Sequence, residues 1–207
     1  MMRHLLLSFV LLFSAPVLFA QSVGVDHPEV KALLAATKAM RTVQADFTQE
    51  KHLKVLKEPV IEPGSFAFER PDRFRWSTNG AAPMVILTNG EKVRVKEGTK
   101  EKILNPGEQR MYAAINGMVL DILSGKMLES PDMKPTYELA KDAVLVRLTP
   151  TQSPMAKRVK SFTLTFDRTT HLLGTMETAE HDGDRTVVRY AKVVADKALP
   201  SGTFTDL

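Results

Sequence analysis

Gly64-Ser65-Phe66-Ala67-Phe68-Glu69-Arg70-Pro71-Asp72-Arg73-Phe74-Arg75-Trp76 is the stretch whose reading decides the fold. Phe66, Phe68 and Arg70 alternate along one strand, Pro71-Asp72 breaks it, and a second strand resumes with Phe74 and Trp76 on one face and Arg73 and Arg75 on the other. Side chains in a strand alternate between faces, so this is a hairpin with an aromatic wall and a cationic wall. Arg70 points the same way as two phenylalanines. An unpaired buried guanidinium is costly, so it must find acceptors inside the fold. Arg73 and Arg75 are expected to form a solvated strand face.

Working outward towards the N-terminus, the pattern is helix then strand. Asp26 is read as an N-cap, with Pro28 and Glu29 in a first turn and Val30, Leu33, Leu34, Thr37 and Met40 at helical spacing. From Thr42 the period becomes two: Val43, Ala45 and Phe47 against Gln44, Asp46 and Thr48, a half-buried strand continuing towards Leu56, with a turn near Pro59 to Pro63.

Working outward towards the C-terminus, the pattern is a meander. A strand at Pro83 to Thr88 meets Asn89-Gly90, a strong short hairpin signal, and the chain returns through Val93 and Val95. Glu97-Gly98-Thr99-Lys100 turns it again towards Lys102-Ile103-Leu104. Glu108 to Leu123 then carries a helical stripe of Met111, Ile115, Met118 and Ile122, closed by Ser124-Gly125. Its other positions are also largely apolar, so several sides need cover. Further strands are read at Thr136–Ala140, Val144–Thr149, Val159–Asp167, His171–Glu180 and Arg185–Val194. Some ten strands and two or more helices predict an α+β fold: a strongly curved antiparallel sheet with helices over its concave side.

The first twenty residues read as a secretory signal: Arg3 and His4, an apolar run from Leu5 to Leu18, then Phe19-Ala20 before Gln21. That apolar run is shorter than the roughly 20 residues a spanning helix needs. Residues 21–207 are expected to form one exported domain. Only Arg3 among the 28 Lys and Arg residues lies in the signal, and none of the 24 Asp and Glu, so the mature balance is +3. That excess does not argue for nucleic acid. The chain has no cysteine, which excludes disulfides, thiol catalysis, Cys-ligated metal and a Cys-borne lipid anchor.

Recognisable catalytic motifs are missing. The histidines at 4, 27, 52, 171 and 181 include no pair at the spacing of a metal-binding helix, and His181-Asp182-Gly183-Asp184 reads as a solvated turn. There is no phosphate loop, dinucleotide fingerprint or nucleophile elbow. No catalytic residue, metal or cofactor is expected. Eight methionines remain beyond residue 20, and those at 111, 118 and 127 lie in or just after the second helix. Flexible thioethers suit a cavity for alkyl chains, but on their own they are more often ordinary core filling.

The opening helix, Phe47-Thr48-Gln49, Gly64, Arg70-Pro71 with Phe74 and Trp76, and Ile86-Leu87-Thr88-Asn89-Gly90 together resemble the LolA family of periplasmic outer-membrane lipoprotein carriers. The likeness covers about the first half of the mature chain. It implies an unclosed β-barrel of about 10–11 strands whose helices lid an apolar cavity for a lipoprotein's acyl chains. Arg70 corresponds to the arginine that hydrogen-bonds lid backbone and holds the empty carrier shut. The cavity is assigned to Phe47, Phe66, Phe68 and Trp76 from the strands, Trp76 being also readable as core, and to Met111, Ile115, Met118 and Ile122 from the helix. Phe74 lies where the family meets its partners. The resemblance further implies periplasmic localisation, no enzymatic activity and a monomer that takes acylated lipoproteins from an inner-membrane ABC transporter to an outer-membrane receptor. The alternative keeps the fold and changes the cargo to a hydrophobic small molecule or glycolipid, such as a polyene. An enzyme acting on lipids and a lipid sensor that signals to a partner are the remaining readings.

Overall fold

The computed structural model describes residues 21–207 apart from 91, 110, 111, 113–116, 118–120, 123 and 153. The signal-like segment 1–20 and three assigned cavity residues, Met111, Ile115 and Met118, lie outside the described residues.

Twelve antiparallel strands form one sheet in the order β1-β8-β9-β10-β11-β12-β2-β3-β4-β5-β6-β7. These are β1 (Gln21–Val23), β2 (Thr42–His52), β3 (Val60–Glu69), β4 (Arg73–Thr78), β5 (Met84–Asn89), β6 (Lys92–Glu97), β7 (Lys100–Lys102), β8 (Met133–Leu139), β9 (Ala143–Pro150), β10 (Val159–Asp167), β11 (Leu173–Glu180) and β12 (Arg185–Ala195). β1 and β7 are the sheet edges, so the barrel is unclosed. The count exceeds the ten or eleven expected by short edge strands such as β1, whose Gln21-Ser22-Val23 is too brief to show a period.

The hairpins stand where the turn residues put them. Phe66 faces Trp76 and Phe68 faces Phe74 across β3 and β4, while Gly90 and Gly98 turn the next two hairpins at φ of +62° and +58°. The turn expected near Pro59 to Pro63 comes earlier, at residues 54–58, and Val60 to Pro63 already belong to β3. Pro63 pairs with Thr48 on the β2 side and lies one residue beyond the β3–β4 ladder, so that ladder loses no donor, and its carbonyl accepts from the Asn79 N–H at 2.8 Å. β7 ends before Ile103, which is almost fully exposed.

Helix α1 (Pro28–Ala39) is capped by His27, whose Nδ1 accepts from the Glu29 N–H at 3.3 Å. Asp26, the expected cap, pairs with Lys31 instead. Pro28 occupies the first helical position, which makes its predecessor the cap. Val30, Leu33 and Thr37 are the buried face of α1. Val30 and Leu33 join the main core, which draws on β2–β4 and β8–β12. A smaller cluster of Ile86, Val93 and Val95 lies at the β5–β6 end, with Met84, Leu104 and Tyr112 against it. Trp76 packs against both clusters. A second helical segment is described at 106–109, 112, 117, 121 and 122, beginning two residues before the expected start at Glu108. Among the described residues, no helix is long and apolar enough to cross a membrane.

Candidate functional site

Arg70 directly follows β3, half-buried, and among the described residues its guanidinium meets only backbone oxygens. Nε donates to the Met40 carbonyl at 2.6 Å, and Nη2 donates to those of Thr37 at 3.0 Å and Ser124 at 3.1 Å. Thr37 and Met40 are at the end of α1, where the last-turn carbonyls have no partner within the helix. Ser124 follows the second helical segment. One side chain therefore joins the strand layer to both helical elements. Gly125 lets them approach: it sits at φ +76°, and a Cβ there would press on Thr37. On the surface, Lys38 pairs with Glu129 at 2.8 Å across the same junction.

Behind this junction is an apolar cavity bounded by Thr37, Met40, Val43, Phe66, Ile122, Phe166, His171, Leu172, Leu173, Tyr190 and Val193. Its volume is about 20 Å³, room for roughly one water molecule. Among the described residues, this cavity is small. Tyr190 packs its ring edge-on against Phe66 at 5.2 Å, and burial raises its phenol above the ordinary pKa.

The assigned cavity residues divide. Phe66 and Ile122 border the cavity. Phe47, Phe68 and Trp76 do not: Phe68 is fully buried in the main core, and Phe47 lies on the Trp76 indole, ring centroids 3.8 Å apart at an interplanar angle of 25°. Gly64 makes that stack feasible, because the Phe47 ring passes over it where any Cβ would collide with the ring and with the Ser77 carbonyl. Phe74, expected at a partner surface, is only 1 % exposed. It faces Phe68 across the β3–β4 ladder and packs in the main core.

Sequence reasoning missed the far wall. Phe166, Leu173, Tyr190 and Val193 come from β10 to β12 and His171 from the β10–β11 turn, in the half of the chain that the likeness does not cover. The alternation of Val188 and Tyr190 was the available signal, and it gave a face without saying what that face bounds. The cationic wall is also not free: the C-terminal segment covers it. Arg75 donates to the Thr203 and Asp206 carbonyls, Arg94 to that of Thr205 at 2.7 Å and Lys96 to that of Leu207 at 3.1 Å. Arg73 lies over the Phe204 ring, 5.5 Å from its centroid.

Among the described residues, no three His, Asp or Glu side chains stand close enough to share a metal ion.

The profile of the family described as "Outer membrane lipoprotein carrier protein LolA" matches residues 38–206. An outer-membrane lipoprotein carrier protein of Halorhodospira halophila is 31 % identical over 125 residues, 59 % of this chain and 56 % of that protein. One of Dechloromonas aromatica is 24 % identical over 172 residues, 81 % of this chain and 77 % of that protein. A LolA superfamily protein of Nitrosomonas europaea has a solved structure that superposes at a TM-score of 0.43 with 12 % identity, covering 85 % of this chain and 97 % of its own. With its sequence matched to the profile from the end of α1 to the C-terminal segment, the chain belongs to the LolA family.

Proposed function

We propose that this protein is a periplasmic carrier that shelters the acyl chains of lipoproteins and moves them from the inner to the outer membrane. The observation that carries the reading is the Arg70 junction, a set of hydrogen bonds from one side chain that holds two helical elements over an apolar interior. Names of relatives support it: they are called outer-membrane lipoprotein carriers. Residues 1–20 are the export signal in this reading, and the work is binding rather than catalysis.

The physical need is plain. Moving an acyl chain from bilayer to water costs about 0.8 kcal/mol per methylene, and a lipoprotein bears three such chains. A cavity of about 20 Å³ admits none of them, so cargo requires the helices to move off the sheet. Closed and open forms are then two states, and cargo favours the open one by the apolar surface it covers. The Arg70 bonds favour the closed one. An inner-membrane ABC transporter supplies the cargo and an outer-membrane receptor accepts it.

The test is release. Purified protein is added to spheroplasts that carry the transporter and an acylated lipoprotein. A soluble one-to-one complex in the medium is the expected result, and lipoprotein retained on the membrane overturns the proposal. Native mass spectrometry of protein taken from its own periplasm identifies the cargo; a polyene or glycolipid in place of a lipoprotein assigns the small-molecule alternative.

A further inference from the structure

On the outer side of the Arg70 junction is an open cleft of about 550 Å³ bounded by Arg41, Thr42, Glu69, Arg70, Pro71, Asp196, Lys197 and Ala198. Its charges are unevenly satisfied. Glu69 is taken by Arg73 at 2.6 Å, and Asp196 accepts from the backbone N–H of Arg41 at 2.7 Å. Arg70 has carbonyl oxygens and no carboxylate. The side chains of Arg41 and Lys197 have no acceptor among the described residues. Three cations, none bonded to a carboxylate among the described residues, therefore border one open cleft against two carboxylates, of which Glu69 is paired with Arg73 and Asp196 has only a backbone N–H, so the wall keeps a positive balance.

The cleft and the apolar cavity adjoin. Met40 borders the cavity and its neighbour Arg41 borders the cleft, while Arg70 stands between them with its bonds to Thr37 and Met40. Resting on the carrier reading above, we infer that the cleft binds the phosphate of an anionic acyl lipid whose chain enters the cavity. Phosphate suits the donors present: guanidinium groups bind its oxygens in pairs, and an ammonium adds a point charge. Two full charges attract more strongly than a charge and a carbonyl dipole, so a phosphate at Arg70 draws the guanidinium away from Thr37, Met40 and Ser124. Headgroup arrival and opening of the interior are then one event. The ligand brings both the anion that loosens the junction and the chain that fills the space.

The test uses the protein from residue 21 onwards and its single tryptophan, Trp76, which packs against both apolar clusters. Lysophosphatidylglycerol and a monoacylglycerol of equal chain length, which lacks the phosphate, are titrated in parallel against Trp76 fluorescence. The anionic lipid is expected to bind about tenfold tighter, the ratio that one charge-assisted hydrogen bond supplies. The preference should shrink with added sodium chloride. Arg41→Gln combined with Lys197→Gln leaves the Arg70 bonds in place and touches exposed side chains, and it should erase the preference. Sodium phosphate, tested alone, should compete with the anionic lipid yet bind more weakly than it. Phosphate that binds as tightly as the lipid, or that fails to compete, overturns the lipid-headgroup assignment. Equal affinity for the two lipids overturns it too, while leaving the carrier reading standing. If neither lipid binds, both fail.

Discussion

The Arg70 guanidinium donates to the carbonyl oxygen of Ser124 at 3.1 Å, across 54 residues of sequence. With the bonds to Thr37 and Met40 it is a side-chain fastening between the end of β3 and both helical elements. Arg70→Leu removes every donor of that fastening while leaving the strand ladders untouched. A hydrogen bond to a charged group contributes about 1.5–3 kcal/mol, so loss of even one favours the open form by roughly tenfold or more. Far-UV circular dichroism should be unchanged, binding of a hydrophobic dye should rise, and transfer of cargo to an acceptor membrane should fall. Unaltered dye binding and transfer would show that the fastening plays no part in the cycle.

Gly64→Ala tests the stack between Phe47 and Trp76. The added methyl meets the Phe47 ring and the Ser77 carbonyl, and neither can withdraw without disturbing the ladder around it. A loss of about 1–3 kcal/mol in chemical denaturation is expected, as for overpacked cores. The emission of Trp76 should change with it, because its stacking partner must shift.

Phe204 anchors the C-terminal segment, buried against the cationic wall with Arg73 over its ring. Phe204→Ala should cost about 3 kcal/mol. At roughly 2–4 °C per kcal/mol for a domain of this size, that is a drop in melting temperature of several degrees. Limited proteolysis should then cut within the segment before the sheet is lost.

Acid should weaken the fold through carboxylates held ionised by partners. The hydrogen bond from Arg168 lowers the pKa of Glu29 below its ordinary 4.5, and that from Arg189 does the same for Glu50. Groups with depressed folded-state pKa stabilise above the unfolded value, and this is lost as pH falls through the folded one. Calorimetry should give a level melting temperature from neutral pH to about 5 and a decline below it. Glu50→Gln should decline less steeply on the acid side; a steeper fall would contradict the sign.

Most strands along the chain, the hairpins at Pro71-Asp72 and Asn89-Gly90, and the placing of Arg70 in phase with Phe66 and Phe68 were legible because each rests on a period of two or on a local turn preference. The start of α1 was misplaced by one residue because Pro28 rather than an acidic side chain sets its first position. The curvature of the sheet decided the rest. Period two puts Phe47, Phe66, Phe68 and Phe74 on the apolar side, yet which of them borders a void depends on where α1 and the second helical segment press, and only Phe66 does. In the same way Arg73 and Arg75 were read correctly as one face, but the segment that covers them lies about 130 residues away. A sequence shows which side of a strand is apolar and where an arginine demands acceptors. The identity of those acceptors, the small apolar cavity behind them and the cleft beside it arise from contacts between distant segments, which no local pattern encodes.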